Sequence, residues 1–209
     1  LGDVYKRQYH LYDSGTIELI DDEDQQDLSD GVLADSLKNA IRHYIIASAI
    51  MFKRGRKSSE MIIHSHRNVS DHSTIYRMVD VFVQSFKDQV EFKDTEGLEI
   101  TKSEYALAYS VYFDTAIQQS YDFDSLWDII CGKIIRRVYL ILKNSAGQVT
   151  QANENLRKYK IYIGGDLLQR GVTFPGLVTT YFSRWAKDSG NMDTNLQRAR
   201  WFGYREKWI

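Results

Sequence analysis

Lys160-Ile161-Tyr162-Ile163-Gly164-Gly165-Asp166-Leu167-Leu168-Gln169-Arg170-Gly171-Val172-Thr173-Phe174-Pro175 decides how this chain is read. A short apolar run, Lys160 to Ile163, stops at two glycines, and a second run, Leu177 to Phe182, follows closely. Paired glycines after a strand let backbone amides approach a ligand that a Cβ would block. Arg170 adds a charged planar fork suited to phosphate or carboxylate. Pro175, the single proline, stiffens the entry to the next strand. An ordinary strand-to-loop turn is the competing reading of the glycine pair taken alone.

Working outward, Met61-Ile62-Ile63 and Tyr139-Leu140-Ile141-Leu142 read as two further buried strands. Between them the apolar spacing turns helical. Val32, Leu33, Leu37, Ile41, Tyr44 and Ile45 predict a helix running to about Phe52, with Ser29 or Asp30 as its cap. That helix closes in a basic cluster, Lys53-Arg54-Gly55-Arg56-Lys57, which favours its C-terminal dipole and could also meet phosphate. Ile75, Met78, Val79, Phe82, Val83 and Phe86 predict a second helix from Asp71 to Phe92. Thr101 to Arg137 reads as two more helices, and a final one lies near Asp193 to Trp201. Short apolar strands alternating with helices predict an α/β fold, a mostly parallel sheet covered on both faces. The helices at about 100–137 make one connection long enough to count as an insertion.

The 209 residues suffice for one such domain, and 43% hydrophobic with 26% charged residues is ordinary for a globular protein. No apolar run is long enough to span a membrane and nothing resembles a signal peptide, so no membrane partner is expected. One cysteine, Cys131, fits a reducing cytoplasm. The net charge of −1 hides an asymmetry: residues 1–30 hold two basic and nine acidic side chains, whereas residues 151–209 hold ten basic and five acidic. A basic C-terminal third suits the phosphates of a nucleotide or of nucleic acid, or is a solvated face. The acidic run Asp21-Asp22-Glu23-Asp24 belongs to a linker over 9–30. Leu1 to Gln8 resembles a translated sequencing adapter, and the chain stops inside an apolar stretch at Trp201 to Ile209. The reading is therefore of a domain over 31–209, truncated at both ends.

A second segment concentrates chemistry: Gln197-Arg198-Ala199-Arg200-Trp201-Phe202-Gly203-Tyr204-Arg205. Arginines among aromatics are costly in a plain core helix unless they meet anions. An arginine cluster aimed at a phosphate is one reading; an amphipathic helix with a solvated basic edge is the other.

Taken together, the two segments carry a family resemblance. The first resembles motif V of superfamily-two helicases, with Asp166, Arg170-Gly171 and Pro175 at that motif's spacing. The second resembles motif VI, and Met61 to Arg67 resembles motif IV. More closely, the pair is similar to the Z-one domain, a family described as candidate endonucleases and associated with bacterial restriction-like defence, from about Leu33 to Ile209. The resemblance implies a RecA-like second helicase lobe with a helical insertion. It implies ATP with Mg²⁺ as cofactor, bound mainly by a first lobe, since the G-x-x-x-x-G-K-[ST] loop is missing here. Arg200 and Arg205 would stabilise charge on the transferring phosphate, with Gln197 positioning it. Gly164, Gly165, Asp166, Arg170, Gly171 and Thr173 would form the coupling loop. Thr173 stands where many helicases have the Asp of a ribose contact; Ala199 stands where glycine is usual and the Arg200 to Arg205 spacing is one residue longer, so either arginine can be the finger. Nucleic acid, DNA foremost, and other defence subunits are the implied partners. The fragment alone would turn over no ATP. The alternative is a degenerate lobe that binds nucleic acid or protein without catalysis.

Other candidates read less sharply. His64, His66 and His72 lack a fixed carboxylate or cysteine for a metal site and are read as loop or packing residues. Asp80 with Glu91-Phe92-Lys93 has the letters of a nuclease pattern, but on a single helix. Tyr105, Tyr109, Tyr112 and Phe113 form a stripe read as core, with base stacking as the minority alternative.

Overall fold

Four short apolar runs, two of them buried almost throughout, build the sheet. In the computed structural model the described residues are 22–64, 69–144, 147–148, 158–165 and 174–182. The strands are β1 (Ser59–His64), β2 (Val138–Asn144), β3 (Gly147–Gln148), β4 (Tyr159–Gly164) and β5 (Leu177–Phe182). They lie in the order β3-β2-β4-β1-β5. β2, β4, β1 and β5 are mutually parallel, and the short β3 runs antiparallel on β2. The α/β class with a parallel sheet is thus the one expected.

Helix α1 (Asp22–Asp30) corrects the reading of the acidic run as a loop. Acidic residues in its first turn suit the helix dipole. Its end is closed by Gly31 at φ 79°, with Val32 N–H donating to Asp27 O at 2.8 Å. Helix α2 (Asp35–Lys53) begins after Ala34 with no side-chain cap, so neither Ser29 nor Asp30 caps it. Its C-terminus forms a full Schellman closure: Gly55, at φ 84°, donates to Phe52 O at 3.0 Å, and Arg56 donates to Met51 O at 2.9 Å. The basic cluster is therefore held in one backbone shape.

α3 (Val69–Phe92) returns along the sheet, followed by α4 (Thr95–Tyr112), α5 (Thr115–Ser120) and α6 (Phe123–Ile129). The insertion has three helices where two were expected, and it starts earlier. Each begins at an aspartate whose carboxylate accepts from a backbone amide: Asp94 from Gly97, Asp114 from Ile117, Asp122 from Ser125. A π-helical turn (Ile130–Ile134) and a 3₁₀ turn (Ile135–Arg137) lead into β2.

Among the described residues the helices pack on one face only. Ser59, Met61 and Ile63 of β1 point to it, with Leu140, Ile161 and Tyr181 of the neighbouring strands, against Leu37, Ile41, Ile45 and Val79. The aromatic stripe is core: Tyr105, Tyr109 and Phe113 are buried, and Phe86 stacks on Trp127 at 5.4 Å. Arg42, buried on α2, ties in the insertion through Glu104 at 2.6 Å. His43 bonds Thr179 Oγ1 through Nδ1 at 2.9 Å and stacks on Phe113 at 4.8 Å. The second face carries a smaller cluster of Ile62, Ile141, Tyr162, Phe174 and Leu177. Cover by helices on both faces is therefore not seen among the described residues.

Candidate functional site

The strand order makes the carboxyl edge of the sheet chemically distinct. The chain leaves β1 for β2, on the far side of β4, and leaves β4 for β5, on the far side of β1. The first connection lies over the helical face. The second ends at Phe174, which packs on Tyr162 of the opposite face with ring centroids 5.0 Å apart. Adjacent strands whose connections depart in opposite directions open a crevice at their carboxyl ends, the usual ligand position in open α/β sheets.

Gly164 and Gly165 lie at this point, both buried. In register across the sheet run Lys143, Gly164, His64 and Phe182. Lys143 holds its ammonium over the Tyr162 ring at 5.2 Å. The His64 ring, 1% exposed, packs on Phe182 at 5.6 Å. A backbone stripped of Cβ atoms, with a lysine on one side and an imidazole on the other, can receive an anion. Lys143 was missed in the sequence because a lysine ending an apolar run is commonplace; only strand pairing places it beside Gly164.

Of the other candidates, Asp166, Arg170, Gly171, Thr173, Gln197, Arg200 and Arg205 lie outside the described residues, as does His66. His64 and His72 are both buried. Among the described residues no three His, Cys, Asp or Glu side chains converge as metal ligands. Asp80 and Glu91 share α3, eleven residues apart and so roughly 16 Å along its axis. They cannot grip one metal, and Glu91 instead pairs with Arg136 at 3.2 Å. Burial pushes the Cys131 thiol up to about 11, which keeps it protonated and poorly nucleophilic at neutral pH. No helix among the described residues is long and apolar enough to cross a membrane.

Fold and edge together define an α/β domain with a four-strand parallel sheet and a glycine pair at the carboxyl end of β4. The family model that matches is the Z1 domain, over residues 36–209, and the chain belongs to that family. Among curated proteins and solved structures, none matches it.

Proposed function

We propose that this chain is the second, RecA-like lobe of a helicase-like ATPase that acts on nucleic acid, DNA foremost, in a restriction-like defence system. The observation that carries the reading is the glycine pair at the switch point, flanked in register by Lys143 and His64. The match to the Z1 domain spans both C-terminal segments on which the helicase resemblance rests.

The residues present fit a nucleotide phosphate: two glycines free of Cβ bulk and a lysine beside them. ATP with Mg²⁺, held mainly by a first lobe, supplies the phosphoryl group to be cleaved. In this reading Gly164, Gly165 and Lys143 favour negative charge at the edge, and Arg170 adds a fork to it. Arg200 and Arg205 stabilise charge as the phosphate transfers, and Gln197 orients it. Asp166, Gly171 and Thr173 complete the coupling loop toward the nucleic-acid backbone.

In the full-length protein, Arg200→Ala and Arg205→Ala are expected to lower ATP turnover by about 10³-fold, with nucleotide binding largely retained. Steady-state hydrolysis and nucleotide titration check this. If neither change lowers turnover, the finger assignment is wrong. A full-length protein that hydrolyses no ATP, yet binds DNA, is a non-catalytic module instead.

A further inference from the structure

The amino edge of the sheet, at the other end of the strands from the glycine pair, is a second charged feature. Val138, Tyr159 and Ser59 are register partners that start three adjacent strands. Arg137 and Lys158 immediately precede two of those starts, Lys57 lies two residues before the third, and all three are exposed. Strands about 4.8 Å apart put these cations along roughly 10 Å of edge. Arg54 and Arg56, also exposed, extend the row. The Schellman closure at Gly55 fixes the loop that presents Arg56 and Lys57. The chain as a whole carries −1, so this is a local concentration of charge.

We propose that this amino edge is a docking surface for the phosphate backbone of duplex DNA. The inference rests on the nucleic-acid half of the proposed function and not on its ATP half. Three separate segments bring their cations together, which matches a ligand carrying one negative charge per about 1.7 Å of axis. Single strands are bound by stacking bases on open rings. Tyr121, whose hydroxyl accepts from Arg54 Nε at 2.8 Å, instead has the Lys53 ammonium and the Arg54 guanidinium over its ring at 5.9 and 5.5 Å. An anionic membrane surface calls for apolar insertion beside the charges. The exposed apolar side chain nearest in sequence to Arg136's partner Glu91 is Phe92, and it is followed by Asp94 and Glu96, which repel such a surface. Two carboxylates near in sequence to these cations already have partners: Glu91 pairs with Arg136 at 3.2 Å, and Asp122 caps α6. The edge lies roughly 20 Å from the glycine pair, the length of a six-residue strand, so DNA seated here leaves the carboxyl edge open.

Fluorescence anisotropy of a short dye-labelled DNA duplex, titrated with full-length protein over a range of salt, tests the proposal. The triple variant Lys57→Ala, Arg137→Ala, Lys158→Ala should bind at least about tenfold more weakly, and its log K against log salt slope should fall by roughly 0.9 for each phosphate no longer neutralised. The charge-keeping variant Lys57→Arg, Arg137→Lys, Lys158→Arg should keep wild-type slope and affinity. Wild-type affinity and slope in the alanine variant would overturn the surface while leaving the nucleic-acid reading intact. Equal weakening in the charge-keeping variant would overturn it too, since charge would not be the cause. Preference for single-stranded DNA, or for phosphatidylserine vesicles, also overturns it. A wild-type protein that binds no duplex at all sinks both the surface and the nucleic-acid reading.

Discussion

Ser59 and Glu60 are neighbours in β1, yet they leave opposite faces of one sheet and meet opposite solutions to polarity. On the helical face Ser59 Oγ bonds Ser48 Oγ at 2.6 Å, and Tyr44 donates its hydroxyl to Ser59 O at 3.2 Å. Ser48 in turn donates to Tyr44 O at 2.7 Å. Neutral groups there satisfy one another inside a deep apolar layer, and burial raises the Tyr44 phenol so that it stays protonated. On the second face Glu60 pairs with Lys160 at 2.7 Å and accepts from the Gly176 amide at 3.2 Å. Lys160 and Lys143 both lie over the Tyr162 ring. At β1 the helical face is built for packing, with its buried charge, Arg42, held farther out on α2 by Glu104. The second face keeps charge at the strand itself, beside the Tyr162 ring. Stability is concentrated on the helical side of β1, and charge that a ligand could meet on the other.

The largest blow to that division is expected from Met61→Ala on the helical face. Met61 is fully buried, and its truncation should cost about 3 kcal/mol through forfeited transfer energy and a residual cavity. Urea denaturation measures it; a change near zero would mean the helical face is not the stabilising one. Glu60→Gln on the second face should cost about 2 kcal/mol, because Lys160 is left mostly buried without its carboxylate. Replacing both residues by Met should recover most of that loss. If the double variant stays as unstable as the single one, the ion pair is a stability device after all.

The smallest effect is expected from pH, through His43 on the helical face. Burial holds the half-buried His43 down to about 4, against an ordinary value of 6.5. The unfolded chain therefore binds a proton between those values that the folded chain does not. His43 contributes fully above pH 6.5, and its contribution is lost as pH falls from there toward 4. A loss of the order of 1–2 kcal/mol is expected, read as a falling denaturation midpoint, with a shallower fall in His43→Asn. Equal pH slopes in both proteins would remove His43 from the account.

Some of this was legible beforehand. Leu177 to Phe182 matches β5 end to end, and Met61 to Ile63 lies inside β1. The long apolar period of α3 needed no tertiary information. The breaks within the insertion were less visible, because the apolar spacing of Tyr109, Phe113 and Ile117 continues across them. The signals were Asp114 and Asp122, each capping an amide three residues on. The acidic first helix was missed for a different reason: Leu28 is its single apolar residue, so it offers no apolar stripe, and its end is set by Gly31.

By itself the sequence determined the α/β class, the four apolar strands and the glycine pair that ends one of them. Those follow from local periodicity and turn chemistry, which need only neighbouring residues. Only the tertiary structure decided that β1 sits between β4 and β5, which residue of each buried run faces the helices, and that Lys143 and His64 flank Gly164. Strands buried on both sides read as continuous apolar runs, so their order and facing come from pairing between residues as distant as Glu60 and Lys160.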